Sequence, residues 1–148
     1  MEIIRISRQE QVEAATDYVW GKWGSETNRE TYRDCIAHSL ESDTLPLFYL
    51  VIEDGKTIGC FALLANDLIS RQDLWPWVAC VYVEPECRKR GIGGKMLNLA
   101  VQEAKRLGFD KAYLCTDHTG YYERYGWRYL CKGWSISGEE TRIYEIDT

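Results

Sequence analysis

Three glycines within four positions follow a basic tripeptide in the segment Arg88-Lys-Arg-Gly-Ile-Gly-Gly94. An apolar run before this segment ends at Pro85, which cannot donate a hydrogen bond to a β-ladder. The pattern after it predicts a long helix. Main-chain amides at a helix N-terminus bind anions, and glycine lets the backbone approach oxygen atoms closely. The segment therefore predicts a binding site for a phosphate-bearing ligand, to which Lys95 adds positive charge.

The spacing differs from that of two common phosphate-binding loops. The Walker loop requires GxxxxGK[ST], which this segment lacks. The dinucleotide fingerprint GxGxxG opens the first βαβ unit and precedes an acidic residue by about 20 positions. Here the glycines lie past the middle of the chain and Asp110 follows a helix end, so a nucleotide-binding domain is disfavoured.

A second group of reactive side chains, Thr116-Asp-His-Thr-Gly-Tyr-Tyr122, follows a predicted strand. Strand ends in α/β sheets commonly line the ligand crevice. His118 is a candidate general base, because histidine serves this role near neutral pH. Asp117 is a second candidate, but Asp117 or Thr119 can instead cap a short helix, and for Asp117 this interpretation is favoured. Two alternative bases, Glu26 and Asp67, lie in other predicted loops.

Composition restricts the class of protein. The 148 residues predict a single domain over 1–148, and the formal charge of −5 disfavours a nucleic-acid partner. Neither a secretory signal nor an apolar run of about 18 residues is present, so a cytoplasmic protein that does not enter the membrane is expected. The six cysteines form no CxxC pair and are interpreted as reduced, mostly buried thiols, which argues against a metal site.

Hydrophobic periodicity predicts the elements that position these groups. Strands are expected over 2–6, 47–52, 57–64, 77–83, 111–116, 127–131 and 142–146, and helices over 8–20, 28–40, 91–107 and 119–125. Asn28 is the expected cap of the second helix. Asp54-Gly55 predicts a β-hairpin. The order predicts an α/β fold with a mixed sheet and helices on both faces, in which the strands ending at Val83 and beginning at Lys111 are parallel neighbours.

The glycine segment resembles the acetyl-CoA-binding motif [RQ]xxGx[GA] of the GNAT superfamily of N-acetyltransferases, with Arg88, Gly91 and Gly93 in the defined positions. Tyr122-Glu-Arg-Tyr-Gly-Trp127 resembles the family's YexxGF segment, with tryptophan in place of phenylalanine. An asparagine that many members carry before the tyrosine is absent. The resemblance covers nearly the whole chain and implies the GNAT-like acyl-CoA N-acyltransferase fold, whose mostly antiparallel central sheet contains one splayed parallel pair.

The resemblance also implies acetyl-CoA as cosubstrate, without a metal, and direct transfer of the acetyl group to an amine. The strand residues Val81, Tyr82 and Val83 would bind pantetheine through their backbone. The loop amides would bind the diphosphate; they belong to Lys89, Arg90, Gly91, Ile92, Gly93 and Gly94, with Arg88 adding charge. Tyr122 would protonate the departing thiolate, a step for which a phenol is a suitable neutral donor.

Two loops flank the expected acceptor site, and they supply Trp23, Glu26, Asp67 and Trp77 as candidate substrate-binding residues. Tryptophan side chains in these loops can form an aromatic wall for a cationic amine, but packing in the core is the plainer interpretation. We expect an enzyme that acetylates a small primary amine, with a protein acetyltransferase and a non-catalytic coenzyme A-binding regulatory module as alternatives. The family also suggests a homodimer.

Overall fold

The computed structural model describes all 148 residues, which form seven strands and three α-helices. The strands are β1 (Glu2–Arg5), β2 (Leu47–Glu53), β3 (Lys56–Leu64), β4 (Trp77–Val83), β5 (Lys111–Thr116), β6 (Arg128–Trp134) and β7 (Glu140–Asp147). The helices are α1 (Val12–Trp23), α2 (Arg29–Ala37) and α3 (Ile92–Arg106). Short 3-10 turns cover Gln9–Gln11, Pro85–Cys87 and Tyr122–Tyr125.

All seven strands belong to one sheet with the order β1-β2-β3-β4-β5-β7-β6. β4 and β5 are parallel and pair through Trp77 and Tyr113, where Tyr113 N also donates to Pro76 O at 3.0 Å. β1 with β2, β5 with β7 and β6 with β7 are antiparallel. The predicted fold class is therefore confirmed, including the parallel pair. No helix combines the length and the apolar character that crossing a bilayer requires.

The predicted hairpin between β2 and β3 is also confirmed. Asp54 and Gly55 both have positive φ, 50° and 74°. Two consecutive residues with positive φ define the two-residue type I′ turn, whose twist matches that of the flanking strands. Residues 47–51 of β2 and 58–63 of β3 are buried at consecutive positions, so both faces of the hairpin are covered.

The chain divides into two compact units, of which the first comprises Met1–Ala62 and Cys80–Met96. In this unit α1 buries Val12, Ala15 and Val19 along one face, the spacing that the sequence predicts. Ion pairs join α1 to α2, because Arg29 contacts Asp17 at 2.6 Å and Arg33 contacts Glu13 at 2.6 Å. These pairs are partly exposed, so they fix orientation more than they add stability.

Two details of this unit differ from prediction. The first helix is not continuous from Arg8, since a 3-10 turn, with Gln11 Oε1 accepting from Ser7 N and Arg8 N at 3.0 Å, precedes α1. Asn28 does not cap α2, because its Oδ1 accepts from Ser25 N at 2.7 Å instead. The Asn28 side chain thus binds the backbone of the preceding loop instead of the first turn of α2. Asparagine side chains commonly form such local hydrogen bonds in place of a helix cap.

The second unit comprises Leu63–Ala79 and Leu97–Thr148. Its core contains Ile69, Trp77, Tyr113 and Ile143, with Leu74, Cys115 and Cys131 packed against them. The prediction of a helix from Thr119 is wrong, because a 3-10 turn begins only at Tyr122 and ends at Gly126, whose φ is 87°. Neither Asp117 nor Thr119 caps this turn; the residue before it is Tyr121, which makes no side-chain cap.

Candidate active site

The glycine segment forms the entry to α3, as predicted. Lys89 and Gly91 both adopt positive φ, at 62° and 76°, directly before the helix. The first intrahelical bond runs from Lys95 N to Gly91 O at 3.2 Å. The amides of Ile92, Gly93 and Gly94 therefore precede the first possible acceptor in the helix and point along its axis, where an anion can bind them. Positive φ is unusual for lysine and shows that this conformation is held against strain.

The four basic residues of the segment have two different roles. Arg88 Nε donates to Val83 O at 2.9 Å, and its guanidinium lies 5.6 Å from the centre of the Tyr82 ring. Arg90 forms a bidentate pair with Glu53, at 2.7 and 2.9 Å, which lowers the pKa of Glu53. These two arginines brace the loop. Lys89 and Lys95 are exposed and form no ion pair, so they remain available to a phosphate group.

Glu84 is a half-buried carboxylate with three side-chain partners, and sequence reasoning missed it. It accepts from Tyr18 Oη at 2.8 Å and from Tyr82 Oη at 3.4 Å, and it pairs with Lys22 at 2.5 Å. Burial alone would raise the pKa of Glu84, but the hydrogen bonds from Lys22 and Tyr18 outweigh it and lower that pKa. The carboxylate thus fixes α1 to the end of β4. Its position directly after a buried strand was the one local signal.

Tyr122 begins the 3-10 turn that follows β5, and burial changes the acidity of its phenol. Burial, followed by the neighbouring Tyr121, raises the pKa of Tyr122 to about 12. A hydrogen bond with Thr116 opposes this shift. The Thr116 hydroxyl also accepts from His118 N at 3.0 Å. A pKa of about 12 keeps Tyr122 protonated at neutral pH.

A hydrogen-bonded network centred on the buried Tyr144 supports the turn that carries Tyr122. Tyr144, which is 0% exposed, donates from Oη to Glu123 Oε1 at 2.6 Å and accepts from Arg142 Nη2 at 3.1 Å. The Tyr122 and Tyr144 rings lie 6.2 Å apart. Because Glu123 directly follows Tyr122, the hydroxyl of Tyr144 fixes the turn at the residue next to Tyr122.

We expect Tyr144→Phe to lower the free energy of unfolding by about 1–3 kcal/mol, the usual cost of a lost buried hydrogen bond to charged groups. Urea-induced unfolding at pH 7.5 measures this. Tyr129→Phe is the matched control, because Tyr129 is 44% exposed and its ring, which packs on Arg142, is retained. The control should change stability by less than about 0.5 kcal/mol. Equal losses in both variants would show that the network has no special role.

The opposite face of β5 carries a second pair of groups. Cys115 and Thr116 are adjacent in the strand, so their side chains point to opposite faces. Cys115 Sγ donates to Asp67 Oδ2 at 3.4 Å. Burial raises the pKa of Asp67 to about 6, against which the hydrogen bond from Cys115 acts, and burial raises the pKa of Cys115 to about 12. A carboxylate and a phenol with perturbed pKa values thus lie on either side of the end of β5.

The other predicted residues have less specific surroundings. Asp117 and His118 are exposed in the turn after β5, where the charge of Asp117 acts on the Cys115 thiol. Trp23 is 49% exposed at the end of α1, and Glu26 is exposed in the following loop. The strand residues 81–83 are partly buried and follow Cys80, whose φ of 55° interrupts the regular strand.

Trp77 requires a correction. The sequence places it in the acceptor site, but the structure leaves it 0% exposed in the core of the second unit. Its Nε1 donates to Leu74 O at 2.6 Å, so even its polar atom has an internal partner. A side chain with no accessible surface cannot form a substrate wall, and the packing interpretation is the one the structure supports.

A mixed sheet with one parallel pair, an amide-rich helix start after β4 and a tyrosine turn after β5 define the GNAT class of acetyltransferase. The sequence matches the acetyltransferase (GNAT) family over residues 11–127, and the chain belongs to this family. It is accordingly an N-acetyltransferase. No curated protein sequence matches the chain.

Solved structures share the fold at low sequence identity. An aminoglycoside 6'-N-acetyltransferase complexed with coenzyme A is 14% identical, with a TM-score of 0.73 over 99% of this chain and 97% of that one. A GNAT-family acetyltransferase from Staphylococcus aureus is 17% identical, with a TM-score of 0.68 over 99% of both chains. An IAA acetyltransferase from Bacillus cereus is 19% identical, with a TM-score of 0.65 over 99% of both chains. At these identities the likeness establishes the fold alone.

Proposed function

We propose that the protein, as a single domain over residues 1–148, transfers an acetyl group from acetyl-CoA directly to a primary amine of a small molecule. The observation that carries this proposal is the start of α3, where amides without intrahelical acceptors lie beside two unpaired lysines. This arrangement suits a diphosphate, which bears two negative charges and several acceptor oxygens. The complex of the aminoglycoside enzyme with coenzyme A supports the choice of ligand.

In this proposal the amides of residues 89–94 bind the diphosphate, while Lys89 and Lys95 contribute charge. The backbone of Val81, Tyr82 and Val83 binds pantetheine, and the amides near Tyr82 stabilise the negative charge that develops on the thioester oxygen. Arg88 and Arg90 act indirectly, by holding the loop through Val83 and Glu53. No metal is needed for either task.

The amine attacks the thioester carbon, the carbon–sulfur bond breaks, and Tyr122 donates its proton to the departing thiolate. The position of Tyr122 in the turn after β5 supports this step, since its pKa of about 12 means that the residue is neutral and carries a proton at physiological pH. Asp117 and His118 remain candidate bases, and both are exposed in the turn after β5.

Trp23 and Glu26 are proposed to contact the acceptor, since an exposed indole and a nearby carboxylate can together bind an ammonium group. Two structural neighbours are named as aminoglycoside acetyltransferases, which favours a small amine over a protein. A protein N-terminus or lysine is the second candidate acceptor. A homodimer and a cytoplasmic location stay predictions.

Release of coenzyme A thiol from acetyl-CoA tests the proposal. The wild-type protein is assayed against a panel of polyamines, amino sugars, amino-acid derivatives and lysine peptides, and acetyl-CoA binding is measured in parallel by calorimetry. We expect binding, together with thiol release that depends on one class of small amine. Release with lysine peptides alone favours a protein acceptor. Binding without release from any amine supports the regulatory module, and the absence of binding contradicts the proposal.

A further inference from the structure

The loop between β3 and β4 holds the carboxylate of Asp67 in an unusual setting. Asn66 Oδ1 accepts from Ile69 N at 3.0 Å and from Gln72 Nε2 at 3.1 Å, and Gln72 Nε2 also donates to Ile69 O at 2.6 Å. Ile69 itself is buried in the core and pairs with Ser135. The loop is thus fixed at both ends of a short turn that contains Asp67.

Two features of this loop have a cost in folding free energy. Leu68 adopts a φ of 54° and is 63% exposed, so a bulky apolar residue is held in the left-handed region while its side chain points to solvent. Asn66 Nδ2 is buried without a hydrogen-bond partner. Strain and an unsatisfied donor persist where the surrounding structure enforces them, and they concentrate at ligand sites.

Asp67 adds a third cost, because its carboxylate is partly buried with only a weak thiol donor as partner. The titratable group that faces it is Cys115 of β5, whose thiol in turn interacts with Asp117 and Tyr122. None of these groups is positively charged, and the cation in the same loop, Arg71, pairs with Asp73 at 2.7 Å instead. Desolvation is therefore what makes this carboxylate more basic than an ordinary aspartate.

We propose that Asp67 is the general base that takes a proton from the acceptor amine. This inference rests on the proposed function. As the nitrogen–carbon bond forms, the nitrogen becomes acidic and one of its protons moves to the Asp67 carboxylate. The carbon–sulfur bond breaks and the proton of Tyr122 moves to sulfur. The proton on Asp67 then returns through solvent to Tyr122, which restores both residues. Starting from a neutral amine, the products are the N-acetylamine and the coenzyme A thiol.

The base must be ionised to act, so kcat/KM should fall as pH drops through about 6, the pKa that burial confers on Asp67. Asp67→Asn should lower kcat by about 100-fold, within the range expected for a general base, and should abolish that acid limb. Asp110→Asn is the matched control. Asp110 is exposed at the opposite end of β5, and its removal should leave both rate and pH profile unchanged.

Cys115 provides a second and finer test. Its thiol donates to Asp67 and so holds the pKa of that carboxyl down. In Cys115→Ala, the fall of kcat/KM at low pH should therefore occur at a higher pH than in the wild type. Cys115→Ser retains a hydrogen-bond donor, so in this variant the fall should return towards the wild-type pH. A thiol that only fills space would leave the position of the limb unaltered in both variants.

The folded state binds a proton on Asp67 more tightly than the unfolded state does, so the carboxyl contributes stability that is lost as pH rises through about 6. Asp67→Asn should therefore raise the midpoint of thermal unfolding at pH 7.5, and the difference should vanish near pH 4. If Asp67→Asn lowers kcat but raises the midpoint of thermal unfolding, the carboxylate serves catalysis. A carboxylate that serves only the structure would not give this combination.

The outcomes are distinguishable. Turnover by the wild type, with an unchanged rate or acid limb in Asp67→Asn, overturns this inference and leaves the proposed function intact. If the wild type acetylates no amine, the proposed function is contradicted. Carbon-13 NMR titration of the Asp67 carboxyl decides the inference without turnover, since a carboxyl that titrates near 4, as ordinary aspartate does, overturns it.

Discussion

Gly93→Glu is expected to weaken acetyl-CoA binding by at least about 100-fold in calorimetry. The substitution places a carboxylate among amides that precede the first intrahelical acceptor of α3. At an effective dielectric constant of 20, two unit charges 4 Å apart repel by about 4 kcal/mol, which is nearly three orders of magnitude in Kd. The diphosphate would also lose amide contacts to the added side chain.

Asn98→Glu is the matched control for charge. Asn98 is exposed on α3, beyond its first turn, so the same change in charge should leave binding nearly unaltered. Gly93 is buried, and thermal unfolding of the variant establishes whether it folds. Lys95→Glu reverses a free surface charge in the first turn without burying new volume and should weaken binding by about tenfold. Wild-type affinity in both glutamate variants of the first turn would place the cofactor elsewhere.

Tyr122→Phe is expected to lower kcat by about 100-fold or more while the KM for acetyl-CoA stays near that of the wild type. The ring packing against Tyr121, with centroids 5.0 Å apart, is retained, and only the proton donor is removed. An interaction made mainly in the transition state affects kcat, whereas one made equally in the ground state affects KM. Steady-state kinetics with the acceptor found in the amine panel provides the measurement.

Tyr121→Phe is the control within the same aromatic cluster. Tyr121 contacts both Tyr122 and Tyr125, at 5.0 and 5.5 Å between ring centroids, but makes no hydrogen bond to Thr116 among the contacts observed. Its removal should change kcat by only a few-fold. If Tyr121→Phe were as slow as Tyr122→Phe, loss of packing would explain both results and the acid role would fail.

The features that the sequence predicted well depend on residues close together in the chain. The loop that starts α3 requires only a strand end, three glycines and a helix, all within Val81–Leu97. The hairpin at Asp54-Gly55 likewise depends on two φ values. The parallel pairing of β4 and β5 followed from the handedness of the crossover, which is nearly invariant.

The features that it missed depend on contacts between distant residues. Tyr18 and Glu84 are 66 positions apart, and Asp67 and Cys115 are 48 positions apart. The sequence offered Asp67 as one alternative base among several, because nothing local shows that Ile69 draws the loop into the core. The prediction that Trp77 lies in the acceptor site was wrong because its local sequence is ambiguous. A tryptophan at the start of an apolar strand is typical both of a core and of a ligand site, and here it lies in the core.

The anchoring of α1 by Glu84 has a consequence for how the enzyme can diversify. Tyr18 and Lys22 both bind this carboxylate, so a substitution at any of the three positions disturbs the end of β4 as well as the helix. The loop that follows α1 is different, because Ser25 and Asn28 bind each other and the side chains between them are exposed. If the proposed acceptor contacts of this loop are right, relatives with other acceptors should differ mainly here, where new side chains are tolerated, and should retain the partners of Glu84 at positions 18 and 22.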